Sequence, residues 1–492
     1  MKTNDFTNKK LFMLVFIALN LVFAFYQLSF FIGNHDWDWV KGTNQILSFS
    51  TGLFEARYSK FILNVMLYGG QILPILNNIT AFALLSLGMV MLVKYWQIND
   101  KYTKIIIALV PCIMPYILGW MYFPINIIGN FMAIPFIIGG LMLIEKAEKK
   151  YKTYGILCFL VALGVYPSVA ETIIICFLIK QILNTAENYK TIAKKFLPIL
   201  LTLIIFKLLI LALSQIGVVY TENYNLQTLS LKETILNSFN ALEVIIKQFY
   251  ITLPFFPLSL KICGLGLIVL ATIQISKNKQ NLILWLLAIL TTGLTSLLTS
   301  NISDTAFMPR INFYGTNFLY TGAIAILLSQ KVIYKNLCYV LSIGLMYIAI
   351  ISNIEAQKVW ELGKNAELNL INRITSRIEE NSNILPLTPV IAGEYSLRQK
   401  YYNTAYDINS PYILERSFVV RHIPSGAYNF YAPNRMFYSA SQIRNLKPEI
   451  YSYLQTITNS YPHQNSIYLD DEYAIIMLTT EGIQAIQAQL PK

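Results

Sequence analysis

Asp36 and Asp38 stand two residues apart in Asn34-His35-Asp36-Trp37-Asp38-Trp39-Val40, where the first long apolar run ends at Phe30-Phe31-Ile32-Gly33. In an extended segment side chains alternate faces, so both carboxylates share one side and Trp37 and Trp39 the other. Tryptophan settles at the membrane–water boundary. The spacing therefore anchors two indoles in the interface and turns two carboxylates toward a wet cavity, where either acid could remove a proton from a substrate hydroxyl. In the plainer alternative, the acids solvate a loop and the indoles form an ordinary interfacial belt.

The elements that must position these residues are membrane-bound. The chain of 492 residues is 55% hydrophobic and only 13% charged, with a mean hydropathy of +0.50. A soluble chain carries about 25% charged residues. The net charge of +12 falls as lysine clusters between apolar runs, the pattern of inner loops under the positive-inside rule, which argues against nucleic acid. The five cysteines (Cys112, Cys158, Cys176, Cys263, Cys338) lie in or beside apolar runs, which excludes a disulfide framework in the polar C-terminal part. With His35, His422 and His463 as the only histidines and no CxxC motif, a dedicated zinc site is not expected. Lys2, Lys9 and Lys10 precede an apolar run too long for a signal-peptide core, so it reads as a retained first span.

About eleven spans of roughly 20 apolar residues are expected over residues 1–352. They begin with one over about 11–33 and a long first outer loop, 34–76, whose second half is apolar but broken by Gly69-Gly70 and Pro74. Spans follow at about 78–96, 105–121, 127–144, 153–166, 168–184, 196–214 and 254–275, then three more to Ser352, with lysine in every inner loop. The N-terminus is then cytoplasmic and residues 353–492 lie outside. In that part Leu370, Ile371, Ile374 and Ile378 fit one helix face. Short β-like runs at 389–392, 417–420 and 473–478 and a helix near 481–489 complete a small α/β domain. It has no glycine-rich phosphate loop and no nucleophile elbow.

Ionisable groups in or beside spans are functional candidates because burying them is costly. Glu55 and Arg57 end the polar part of the first outer loop. Glu171 follows the Tyr166-Pro167-Ser168 hinge, and Arg310 follows Met308-Pro309 in a late outer loop. Each has a structural alternative: Glu55 pairing with Arg57 or Lys60, Glu171 bonding a neighbouring helix, Asp304 capping a turn near Arg310. Lys207, near the middle of its span, should face a polar cavity or an acid, and Lys261 could snorkel to a headgroup phosphate. Acids and cations converging at the outer leaflet suit glycosyl transfer from a lipid-phosphate donor. A carboxylate serves as base on the acceptor hydroxyl, and Arg or Lys steadies the departing phosphate. Such chemistry needs no nucleotide fold.

These features resemble the membrane-embedded C-type glycosyltransferases, most closely the Gtr-type O-antigen glucosyltransferases of serotype conversion. The resemblance rests on the acidic first loop (Asp36, Asp38), Arg57-Tyr58 leading to Gly70-Gln71-Ile72-Leu73-Pro74, Tyr166-Pro167-Ser168 with Glu171, and Pro309-Arg310, spanning about 34–320. It implies undecaprenyl-phosphate glucose as donor and a lipid-linked O-antigen or similar lipopolysaccharide or cell-envelope glycan as acceptor. It also implies inversion by single displacement and a bacterial inner-membrane location with the C-terminal domain in the periplasm. The family's first-loop acid maps onto Asp36 or Asp38, here separated by Trp37, so which acid is the base stays open. Glu55, Arg57, Tyr166, Glu171, Lys207, Lys261 and Arg310 are the expected substrate-binding residues. No cofactor is expected, although Asp36-x-Asp38 could hold a divalent ion with substrate phosphate. The rivals are a flippase for a lipid-linked sugar, a transferase of the same fold acting on lipid A or protein, and a non-catalytic envelope assembly protein. No internal repeat supports the flippase.

Overall fold

The computed structural model describes residues 7–28, 58–59, 73–121, 124–184, 188–215, 257–292, 313–329, 335–381, 388–392, 438–439, 447–488 and 490. By internal contact the described chain divides into two compact units, the boundary falling between Ala356 and Gln357.

The first unit is helical. Among the described residues its main helices are α1 (Asn8–Val22), α2 (Pro74–Tyr95), α3 (Lys101–Ile113), α4 (Pro124–Ile144), α5 (Lys149–Leu163), α6 (Val169–Leu183), α7 (Tyr189–Gln215), α8 (Leu258–Ile275), α9 (Lys279–Thr291), α10 (Thr316–Ser329) and the part of α11 (Lys335–Asn381) up to Ala356, the rest of α11 belonging to the second unit. Among the described residues, six stretches are long and apolar enough to cross a membrane: Ile75–Tyr95, Lys101–Met121, Ile127–Ile144, Tyr189–Leu213, Leu258–Ile275 and Lys335–Lys358. Helices α1, α5, α6, α9 and α10 also stand where spans are expected, but run only 13 to 15 residues. At 1.5 Å per residue that is about 20 Å, short of a hydrocarbon layer of about 30 Å. Pro74, expected to interrupt a re-entrant segment, instead opens α2, where its missing N–H costs nothing.

Burial separates inner from outer helices. The Lys101–Met121 stretch is 83% buried and Tyr189–Leu213 only 28%. The outer helices carry rows of exposed apolar side chains, among them Leu200, Ile204 and Leu208 on α7, Ile262 and Ile273 on α8, and Val340, Ile343 and Tyr347 on α11. Water would penalise such rows, and lipid accepts them. Between helices in lipid, close packing must do the holding. A Cβ on Gly155 would lie 3.0 Å from the Gly140 carbonyl oxygen, so α4 and α5 approach backbone to backbone.

One span is broken. Pro111 lies inside α3, and Met114 is extended (φ −62°, ψ 136°) before a 3₁₀ turn at Pro115–Ile117 and a short helix, Leu118–Met121. The residue before a proline is pushed out of the helical region, which accounts for Met114. The Pro111 carbonyl would ordinarily accept from residue 115, which is a proline with no N–H. Asn317 Nδ2 on α10 donates to it instead, at 2.8 Å. The Ile113 carbonyl loses its partner because Ile117 N turns back to Met114 O. Asn353 Nδ2 on α11 donates to it at 2.5 Å. Asn317 and Asn353 are both fully buried.

In the second unit, strands β1 (Thr388–Ala392), β2 (Tyr438–Ser439), β3 (Ile467–Leu469) and β4 (Tyr473–Met477) form a sheet ordered β2-β1-β4-β3. β1 runs parallel to β2 and β4, and β3 is antiparallel to β4, with Val390 opposite Ile475. Helices α12 (Pro448–Thr456) and α13 (Thr480–Gln487) bury Ile450, Leu454, Ile483 and Ile486 against Val390, Ile475 and Met477. The expected strands near 389–392 and 473–478 and the closing helix are present. β3 is an addition, and the run at 417–420 lies outside the described residues.

Candidate active site

The turn ends of α6 and α10 meet around one buried carboxylate. Glu171 sits in the first turn of α6, where the helix dipole favours a negative charge, and is 1% exposed. A Cβ on Gly315 would come within 2.0 Å of Glu171 Oε2, so glycine is what admits the carboxylate here. Thr172 Oγ1 donates to Tyr314 O at 2.6 Å, and Tyr314 Oη donates to Asn130 O on α4 at 3.0 Å.

Three rings stand beside the acid. Trp120 meets Tyr166 edge-on with centroids 4.8 Å apart and Tyr314 at 5.7 Å, while Tyr166 and Tyr314 stack at 6.3 Å. The Tyr166-Pro167-Ser168 hinge separates α5 from α6. Just before it, Gly164 leaves room for the first-loop residues Tyr58 and Ser59, whose side chains would collide with a Cβ there. Ser59 N donates to Gly164 O at 3.0 Å and Tyr58 Oη to Leu160 O at 2.8 Å. Residues 58–59 of the chain are thereby fastened to the hinge.

Lys261 is the cation of this corner. α8 and α9 form a hairpin, closed by Trp285 Nε1 donating to Thr272 Oγ1 at 2.8 Å. Thr292, at the end of α9, has its Cα 3.4 Å from a Cβ placed on Gly315. Counting from the bond between Trp285 and Thr272 along both arms, Lys261 and Thr292 stand at heights about 6 Å apart. Lys261 therefore lies toward the end of the helical unit that holds Thr292 and Gly315. The expected snorkelling is not found: Lys261 is 8% exposed and Nζ is buried with no hydrogen-bond partner among the described residues. Packing against α10 holds it inward, for one turn further on a Cβ at Gly264 would touch the Tyr320 ring at 2.8 Å. Trp120 Nε1, Asn130 Nδ2 and Ser168 Oγ are also buried without a partner among the described residues. Each is a hydrogen-bond donor.

Of the residues expected from the sequence, Tyr166, Glu171 and Lys261 come to this end of the bundle. Lys207 does not. It is exposed on α7 between exposed Ile204 and Leu208, and the polar cavity or acid expected around it is not found among the described residues. Asp36, Asp38, Glu55, Arg57 and Arg310 lie outside the described residues. Trp120, Asn130, Thr172, Tyr314 and Gly315 were not singled out by sequence. Their one available signal was place, since Trp120 closes a span and Phe313-Tyr314-Gly315 opens one. A buried Lys180 on α6 was also missed. Its amine lies 5.5 Å from the Tyr95 ring centroid, at the end of α6 remote from Glu171. Among the described residues no group of three or more His, Cys, Asp or Glu could hold a metal ion.

Apolar helices with lipid-facing rows of leucine, enclosing a buried acid, a buried cation and stacked aromatic rings, define an integral-membrane protein with an internal polar site. Residues 43–327, more than half of the chain, match the family model of glucosyl transferase GtrII, and the chain belongs to that family of glucosyltransferases. No curated protein matches it. The matched region contains Glu55, Arg57, Tyr166, Glu171, Lys207, Lys261 and Arg310, and begins after Asp36 and Asp38.

Proposed function

We propose that this protein transfers glucose from a polyprenyl-phosphate donor to an O-antigen or other lipid-linked cell-envelope glycan at the periplasmic face of the bacterial inner membrane. The observation that carries the reading is Lys261. A cation in the first turn of a helix opposes the dipole, and burying it without an acid is costly. An anion arriving there would satisfy both, and a lipid phosphate is the anion a glucosyltransferase of the membrane meets. Trp120 Nε1, Asn130 Nδ2 and Ser168 Oγ supply donors for sugar hydroxyl or phosphate oxygens, and the three rings supply an apolar wall.

The acceptor hydroxyl oxygen attacks the anomeric carbon from the face opposite the phosphate. The bond from that carbon to the phosphate oxygen breaks, and its electron pair leaves with the polyprenyl phosphate, whose growing charge Lys261 and Arg310 steady. Asp36 or Asp38 takes the hydroxyl proton, and the anomeric centre inverts. No cofactor enters these steps. Glu171 and Tyr166 hold the sugar, and Glu55 and Arg57 contribute to substrate binding.

Lysine distribution supports the orientation. The 164–168 turn beside Glu171 and the sequence 122–126 hold no lysine, whereas Lys94, Lys101, Lys104, Lys146, Lys149, Lys277, Lys279 and Lys335 crowd the other helix ends. Eleven crossings then leave residues 353–492 as a periplasmic domain.

The test offers radiolabelled polyprenyl-phosphate glucose and a lipid-linked glycan to the purified protein in nanodiscs, beside Asp36→Asn and Asp38→Asn variants. One substitution should abolish transfer in a protein that still folds, and a chelator should leave transfer intact. If the wild type transfers no sugar from several lipid-phosphate donors yet moves the lipid between leaflets, the protein is a flippase.

A further inference from the structure

The second unit contains a cleft with a chemistry of its own. It has a volume of about 380 Å³ and lies between the last turn of α12, the 457–466 segment and edge strand β3, within the range of small-molecule sites of roughly 300–1,000 Å³. Two tyrosines, Tyr453 and Tyr468, form one wall with ring centroids 4.9 Å apart and planes 39° apart. Thr458, Asn459, Gln464 and Asn465 line the rest. Among the described residues, no Asp, Glu, Lys, Arg or His lines the cleft.

The cleft is held in shape before any ligand arrives. Tyr453 Oη donates to Asn465 O at 2.7 Å, Tyr461 N to Met477 O at 2.7 Å, and Arg377 Nη1 to Pro462 O at 3.1 Å. Gln487 Nε2 donates to Leu454 O and Ile457 O from below, at 2.9 and 3.1 Å. By contrast, the side chains of Asn459 and Gln464 are exposed and bond to nothing among the described residues. Preorganised walls with free amides cost little to fill.

An amide offers a donor and an acceptor side by side, as do neighbouring hydroxyls of a sugar ring. A tyrosine face accepts the apolar C–H side of the same ring. An uncharged lining offers nothing to a phosphate, a nucleotide or a metal ion. We propose that this cleft is a second carbohydrate site, which takes an uncharged saccharide segment of the acceptor glycan away from the reacting hydroxyl. Naming the saccharide as the acceptor's rests on the glucosyl-transfer reading; the binding itself does not. The rival occupant is an extended peptide pairing with β3, which offers an edge of only three residues.

The experiment uses the full chain in nanodiscs and two readouts. The first is saturation-transfer NMR with phosphate-free oligosaccharide released from a cell-envelope glycan. The second is transfer kinetics with long and short lipid-linked acceptors. The double variant Asn459→Ala/Gln464→Ala removes two amides that hold nothing in place, so its unfolding midpoint should match wild type. It should bind the oligosaccharide about tenfold more weakly and raise KM for the long acceptor about tenfold, leaving kcat and the short-acceptor KM alone. Unchanged binding, or a wild type that ignores the saccharide and binds only peptide, overturns the proposal. If wild type binds the saccharide through these amides yet transfers no glucose, the cleft stands and the transfer reading fails.

Discussion

A lysine near the N-terminus of a helix sets its charge against the dipole, and Lys261 does so with its amine buried. Removing that charge should help the fold and harm the chemistry. Lys261→Met keeps the stem's volume, so the unfolding midpoint in detergent should stay level or rise, by up to about 1–3 kcal/mol for the relieved amine. Transfer should fall by about a hundredfold with the loss of a charge-assisted contact to the leaving phosphate. A variant that loses stability and keeps transfer would show Lys261 to be structural. Lys261 and Glu171 were legible in the sequence because charges in apolar runs are rare. Tyr314 and Trp120 were not, because a chain with 32 tyrosines and 28 phenylalanines marks every span end with rings. Lys207 shows the limit of depth as a guide. Apart from Thr202 and Lys207, residues 196–213 of α7 are apolar, so nothing in that sequence tells the face of Phe206 and Ile210, which are buried, from that of Lys207 and Leu208, which are exposed.

Among the elements, α3 and the helix end that follows it carry a break that the sequence half discloses. Pro111 and Pro115 are visible, and their spacing of four orphans the Pro111 carbonyl. The expectation of one continuous span over 105–121 overlooked it. The repair could not be seen, because the donors come from Asn317 and Asn353, 206 and 240 residues along the chain from the carbonyls they satisfy. Asn317→Leu and Asn353→Leu should each lower stability by about 1–3 kcal/mol, the cost of one unsatisfied buried carbonyl. Thermal unfolding of each variant in detergent measures this, and an unchanged midpoint for both would mean that the break is satisfied some other way. In the second unit, β1 and β4 were legible as short apolar runs. Three-residue β3 was not, since Ile467-Tyr468-Leu469 becomes a strand only by pairing with β4.

Across the whole molecule the two ends of the helical unit differ in chemistry, a contrast the lysine spacing already carried. At the end remote from Glu171, Asp100 caps α3. It accepts from Thr103 N at 2.9 Å, Thr103 Oγ1 at 2.7 Å and Tyr339 Oη on α11 at 2.7 Å. Burial pushes its carboxyl upward, but those hydrogen bonds and the Lys335 charge outweigh it and hold the group below the usual carboxylate range. A depressed folded value stabilises the protein above the unfolded value of about 3.9 and loses that stability as the pH falls through the folded value. The advantage of wild type over Asp100→Asn should thus be full near neutrality and shrink below about pH 4, read from unfolding midpoints across an acid series. An advantage that does not change with pH would remove the carboxylate from this role. The bond from Thr172 to Tyr314 has a further consequence, because it joins residues 142 apart. A ribosome adding about 5–20 residues per second delivers Tyr314 about 7 to 28 seconds after Thr172. Until then Tyr314 and Gly315 are missing from the surroundings of Glu171, so a nascent or truncated chain ending before that point enters the bilayer with the buried carboxylate uncovered on that side.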